Sequence, residues 1–158
     1  MEVFKWSVGD APRGNAPSCC AIGNFDGVHV GHQHMLERAR NAAHTLGMSF
    51  GVVTFNPHPH LFFTPDAPPF LLTDPEIKYK KLAKAGVEHI LEVTFDEALR
   101  QLSPDAFTRD VLSISLNVRH LFAGADFCFG KGRSGSLSDM ADIGKTCQLR
   151  VTSTDLYL

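Results

Sequence analysis

The 158-residue chain sets 15 Lys and Arg against 17 Asp and Glu, a formal net charge of -2, and is 44% hydrophobic and 20% charged. That length suits one domain with its own core, and the composition excludes a disordered chain. The near-neutral balance speaks against a nucleic-acid binder, which normally shows a basic excess. The start Met1-Glu2-Val3-Phe4-Lys5-Trp6-Ser7 lacks the basic-then-apolar order of a signal peptide, and no apolar run nears the ~20 residues that span a bilayer, so a cytoplasmic protein is expected.

In chain order, residues 1 to 17 read as a short apolar start followed by a Gly/Pro-rich loop. A first core strand is predicted over Ser18–Gly23, then a turn, then a helix over Gln33–Leu46 whose apolar face is Met35, Leu36, Ala39, Ala42, Ala43 and Leu46, with Gly47 as its cap. A buried strand follows over Ser49–Phe55. Asn56-Pro57-His58-Pro59-His60 stops it, and a Pro-rich stretch with Phe62, Phe63 and Phe70 reads as a long loop. Thr73-Asp74-Pro75-Glu76 starts a helix that runs to about Ala85 and stops at Gly86. The lysines of that helix, Lys78, Lys80, Lys81 and Lys84, read as its solvated face.

Glu88–Thr94 is the next strand and Asp96–Leu102 a short helix. Ser103 caps a helix with Pro104 at its first position, running to about Leu116. A strand over Val118–Ala123 leads to Gly124-Ala125-Asp126-Phe127-Cys128-Phe129-Gly130. Lys131-Gly132-Arg133-Ser134-Gly135 reads as a flexible basic loop, Leu137–Ile143 as a short helix and Gln148–Thr154 as a last strand. This β-α-β-α alternation predicts an α/β fold, Rossmann-like, with a parallel sheet and helices on both faces. Ligands of such sheets sit beyond the carboxyl ends of the strands, where the 23–32 turn, the Pro57-His58-Pro59 exit and the Gly124–Arg133 segment all fall. Cys19, Cys20, Cys128 and Cys147 form no C-x-x-C pair and read as small apolar fillers in a reducing compartment.

The turn Gly23-Asn24-Phe25-Asp26-Gly27-Val28-His29-Val30-Gly31-His32 carries the chemistry. A glycine-rich turn from strand to helix gathers backbone N–H groups and the positive end of a helix dipole at one point, which favours an anion. His29 and His32 add two imidazoles there, both able to donate to phosphate oxygens. No lysine follows the last glycine, so this is not a P-loop, and the dinucleotide fingerprint is absent. A zinc site from His29, His32 and His34 with Cys19 and Cys20 is disfavoured, because His32 and His34 would point to different sides of a helix.

Gly27-x-His29-x-Gly31-His32 resembles the signature of the nucleotidylyltransferase superfamily, and the ten-residue string is similar to that of the FMN adenylyltransferase module of bacterial FAD synthetases. The likeness extends through Val53-Thr54-Phe55-Asn56-Pro57-His58-Pro59, Lys78–Val93, Leu102–Phe107 and Gly124–Gly130, so that nearly all of residues 18 to 154 match in order. It implies transfer of AMP from MgATP to the phosphate of FMN, giving FAD and pyrophosphate, with no covalent intermediate. His29 and His32 are then the catalytic donors to the α- and β-phosphates and the departing pyrophosphate. Gly23, Asn24, Phe25, Asp26, Gly27 and Gly31 would bind the nucleotide, the glycines through close backbone approach; Asp26 either caps the turn or meets ribose or magnesium. On the flavin side the resemblance implies Pro57, His58, Pro59, Phe62, Asp126, Phe127 and Phe129. His58 has a rigid turn as its other reading, and the aromatics have the core as theirs. Lys131 and Arg133 either reach phosphate or form a solvated basic loop. The magnesium is expected to arrive with ATP rather than on a protein site.

The resemblance also sets limits. The family's Ser-Ser-Thr-x-x-Arg motif has no counterpart, since Thr152-Ser153-Thr154 is followed by Asp155, Leu156 and Tyr157 without an arginine. Residues 150–154 therefore read as the preceding strand. The expectation is a single domain over residues 1–158, cut short before that motif and without the riboflavin kinase domain. Two rival readings follow: a nucleotide- or flavin-binding module without turnover, and a related nucleotidylyltransferase with another acceptor or a cytidine nucleotide.

Overall fold

The structure, a computed structural model, describes residues 1–158 except 15, 26, 27, 29, 58–73, 126 and 155–158. Six strands form one sheet: β1 (Glu2–Trp6), β2 (Ser18–Ile22), β3 (Ser49–Asn56), β4 (His89–Thr94), β5 (Val118–Gly124) and β8 (Arg150–Thr154). Their order is β1-β4-β3-β2-β5-β8, and every neighbouring pair is parallel. The helices are α1 (Val30–Leu46), α2 (Pro75–Lys84), α3 (Glu97–Arg100), α4 (Pro104–Ala106) with a π-helical continuation (Phe107–Ser115), and α5 (Leu137–Gly144). None is long and apolar enough to cross a membrane among the described residues.

Side-chain alternation along the strands builds two cores, one on each face. Cys19, Ala21, Val52 and Ile90 pack with Met35, Leu36 and Ala39 of α1 and Leu82 of α2. Cys20, Ile22, Val53 and Leu91 pack with Leu99 of α3, Phe107, Val111 and Leu112 of the π-helical run, and Met140 of α5. The sheet thus carries helices on both faces, as the alternation of elements requires. The adjacent thiols Cys19 and Cys20 point to opposite cores, and burial pushes them up to about 12 and about 11, so both stay protonated fillers.

The start and stop signals act as the sequence implies. Gly47 and Gly86 take left-handed φ of 66° and 94° just past α1 and α2. Asp74 accepts from the Glu76 N–H with Pro75 in the first turn, and Ser103 accepts from the Ala106 N–H with Pro104 behind it. Ser136 and Asp139 close a capping box on α5.

Two elements go beyond the sequence reading. The first residues are not merely an apolar start: β1 pairs along its length with β4, from Glu2 opposite His89 to Trp6 opposite Val93. The basic segment is not a flexible loop either. Lys131–Arg133 is a 3-10 turn between β6 (Cys128–Phe129) and β7 (Gly135–Ser136), which pair antiparallel. Gly130 (φ 79°) presses on Pro104 so closely that a Cβ there would lie 3.0 Å from the ring, and the Lys131 N–H donates to the Leu102 carbonyl at 2.8 Å. This docks the hairpin on the start of α4.

Candidate functional site

The chain builds outward from β2 to β3 and β4 on one side, then returns to place β5 and β8 on the other. The switch lies between β2 and β5, and the crevice beyond the carboxyl ends of such neighbours is where open α/β sheets bind ligands. Three segments leave the sheet from adjacent strands there: residues 23 onward from β2, residue 57 onward from β3, and residue 125 onward from β5.

The β2 exit is tightly held. The Gly23 N–H donates to the Val53 carbonyl at 3.1 Å, and the Val28 N–H reaches back to the Phe25 carbonyl at 3.3 Å. Phe25 and Val28 both sit in the left-handed region, φ 56° and 44°, where a bulky residue is held only by its surroundings. Burial supplies the hold: Phe25 is 0% exposed and Val28 is buried in the α1/α2 core. The Phe25 ring is therefore a core side chain, packed with α1 and α2 rather than open to a ligand. Helix α1 begins at Val30, and the Gln33 side-chain amide donates to the Val28 carbonyl at 3.2 Å. Gly31 is buried and His32 half-buried in the first helical turn, the imidazole 5.1 Å from the Phe25 ring and tilted 56° to it. The Asn24 side-chain oxygen is buried and finds no hydrogen-bond partner among the described residues.

A residue the sequence reading set aside belongs here. Lys78 is 7% exposed, not on the solvated face of α2 with Lys80, Lys81 and Lys84. Its ammonium donates to the Asn24 carbonyl at 3.1 Å and to Thr54 Oγ1 at 3.3 Å. Beside it the Tyr79 hydroxyl donates to the buried Glu92 carboxylate; burial first, and then that bond, raise the Tyr79 pKa well above its ordinary value. Thr54 and Glu92 are paired across β3 and β4. One signal was legible: Lys78 stands four residues before the fully buried Leu82, on the same helix face.

At the β5 exit the Ala125 N–H donates to the Thr154 carbonyl at 3.2 Å and the Phe127 N–H to the Gly124 carbonyl at 3.0 Å. Phe127 is half-buried and stacks on Phe129 at 6.0 Å. Phe129, 6% exposed, also packs on Phe107 at 5.5 Å and belongs to the core, so of the two Phe127 is the ring that stays partly open. Lys131 and Arg133 are exposed on the hairpin turn. Pro57 is exposed past the end of β3. Asp26, Gly27, His29, His58, Pro59, Phe62 and Asp126 lie outside the described residues. Among those described, no three His, Cys, Asp or Glu side chains converge as a metal site would require.

Residues 11–157 match the FAD synthetase family. The chain belongs to that family. It is 40% identical over 128 residues to a bifunctional riboflavin kinase/FMN adenylyltransferase of Bacillus subtilis, over 80% of this chain and 40% of that protein. To the protein of the same description from Escherichia coli it is 35% identical over 136 residues, 86% of this chain and 44% of the relative. This FAD synthetase family chain thus spans less than half the length of these relatives. A macrolide-efflux protein from Streptococcus pneumoniae, known from its crystal structure, superposes with a TM-score of 0.75 over 97% of this chain and 51% of that one. At 23% identity, that likeness speaks for the shared fold alone.

Proposed function

We propose that this chain is an FMN adenylyltransferase module that makes FAD and pyrophosphate from FMN and MgATP in the cytoplasm. A phosphate oxygen of FMN attacks the α-phosphorus of ATP; the new P–O bond forms as the bond to the β-phosphate bridge breaks, and pyrophosphate leaves. The nucleophile is already an anion, so the protein's task is positioning and charge neutralisation. The observation that carries the reading is the strand order, which sets the glycine turn and the start of α1 beside the switch point between β2 and β5.

In this reading the turn residues Gly23, Asn24, Asp26, Gly27 and Gly31 lie along the nucleotide, with the first N–H groups of α1 directed at the phosphates. The unmatched Asn24 side-chain oxygen suits a hydroxyl or amine donor of the nucleotide. His29 and His32 donate to the phosphate oxygens and to the leaving pyrophosphate as negative charge moves onto it. Magnesium comes as part of the nucleotide substrate and neutralises its triphosphate. The flavin lies on the β3 and β5 side, with Pro57, His58, Pro59 and Phe62 from one exit and Asp126 and Phe127 from the other; Phe129 backs Phe127 from within the core. Lys131 and Arg133, carried on the docked hairpin, add positive charge at the rim. Riboflavin kinase, the other activity in the relatives' description, is not part of the proposal.

The test is direct. The purified chain is incubated with FMN, ATP and magnesium, and FAD is sought by chromatography. FAD appearing in step with pyrophosphate is the expected result. Flavin and ATP binding by titration with no FAD would instead mark a binding module, and turnover with a cytidine nucleotide or with another phosphate acceptor would point to a related nucleotidylyltransferase. In the same assay Asp126→Ala should weaken FMN affinity more than ATP affinity; equal losses would take Asp126 off the flavin side.

A further inference from the structure

A lysine ammonium in a protein interior persists only where acceptors are supplied to it. For Lys78 two of those acceptors are specific: the Asn24 carbonyl, which belongs to the glycine turn, and the Thr54 hydroxyl, two residues from the end of β3. Leu82, one turn on, fills the same face of α2 with an apolar side chain, so Lys78 is the charged member of a buried helix face. What the ammonium holds is the peptide immediately before Phe25. That residue is left-handed, and its ring is gripped from the core side. Pinning the preceding carbonyl grips it from the other side. The Tyr79–Glu92 pair, adjoining in sequence and across the strands, extends the polar patch to β4, so the first turns of α2 are fastened to the ends of three strands.

We propose that Lys78 is a positioning residue of the nucleotide site: its ammonium, seated on Thr54, holds the Asn24 carbonyl and so fixes the backbone at Asn24 and Phe25, just ahead of the helix α1 whose first N–H groups serve the polyphosphate. The identity of that ligand rests on the adenylyltransferase reading; the clamp does not.

The test uses Lys78→Met, Lys78→Arg and Thr54→Val in the full chain, with two readouts. In the ligand-free protein, the Val28 amide of Lys78→Met should exchange with deuterium about tenfold faster than in the parent, while Leu121 in β5 and Met140 in α5 keep their protection. Lys78→Arg should recover most of that protection, and Thr54→Val should fall between. In turnover, kcat of Lys78→Met should drop about tenfold or more with the FMN KM within about twofold, and Lys78→Arg should restore part of it. Parent-like exchange at Val28 in Lys78→Met overturns the clamp, as does faster exchange spread evenly over the sheet, which would mean a general loss of stability. If Lys78→Met does not fold, Thr54→Val decides: unchanged Val28 exchange there overturns the proposal. A parent chain that makes no FAD sinks the adenylyltransferase reading and leaves the exchange result to judge Lys78 alone.

Discussion

The two ends of the sheet bury basic side chains in opposite ways. At the amino end, His89 begins β4 with its ring laid over Gly51 of β3, at 8% exposure, and its Nε2 finds no hydrogen-bond partner among the described residues. Burial, helped by Arg13 and opposed by Glu88 and Glu2, pushes its pKa down to about 4. At the carboxyl end, Lys78 is as deeply buried but is met by the Asn24 carbonyl and Thr54. One end tolerates a buried base by keeping it neutral; the other matches a buried cation to the backbone of a turn. Damage at the amino end should therefore appear in stability and its pH dependence, and damage at the carboxyl end in turnover.

The largest effect should come from the carboxyl end. His32→Ala is expected to lower kcat by about 100-fold, the loss typical of a donor to developing phosphate charge. The half-buried ring leaves no fully enclosed cavity when removed, so the thermal midpoint should move little. Near-parent turnover would remove His32 from the chemistry, and a collapse of the midpoint would make it a core residue instead.

The amino end should answer in the other currency. A Cβ on Gly51 would lie 2.2 Å from His89 Nε2, so Gly51→Ala must displace a buried ring. Overpacking of this kind costs about 1–3 kcal/mol, with kcat of the folded fraction unchanged. Adding His89→Ala opens the space, and the double variant should be more stable than the sum of the two single losses allows. Strict additivity would show that the ring and the glycine do not share that space.

How much of this was open to a reader of the sequence follows from where the signals are local. The glycine turn between an apolar strand and a helix of period 3.6, the stops at Gly47 and Gly86 and the Ser103-Pro104 start are written in neighbouring residues, and the parallel sheet follows from their alternation. The role of Lys78 is not local. Its acceptors lie 54 and 24 residues back along the chain, and they become neighbours only when β2 and β3 pair. The exposed Ile77 beside it also blurs the helix pattern, since an apolar residue faces solvent where a lysine is buried. For Phe25, a ring in a glycine turn reads as a contact for ligand until the left-handed backbone turns it inward. Phe129 reads the same way until the β6–β7 hairpin brings it onto Phe107. The first strand was obscured for a further reason: five residues at a sheet edge, three of them exposed, carry too little apolar alternation to stand out.

The smallest effect tests the silent base itself. With His89 lowered to about 4 in the folded chain and near 6.5 when unfolded, the unfolded state binds a proton that the native state refuses between those values. Stability attributable to His89 is then fully present above pH 6.5 and is lost as pH falls towards 4, by about 1–2 kcal/mol after allowing for screening by water at this edge. Urea unfolding at pH 7.5 and pH 4.5 measures it. His120, bonded through Nε2 to Thr152 and lowered by burial and by Arg150, adds a slope of the same sign. His89→Gln should therefore flatten the difference between the two pH values only in part, while leaving kcat at pH 7.5 untouched. An unflattened difference would mean that the ring over Gly51 takes up its proton as readily folded as unfolded. In that case the contrast between a neutralised amino end and a matched carboxyl end would not hold.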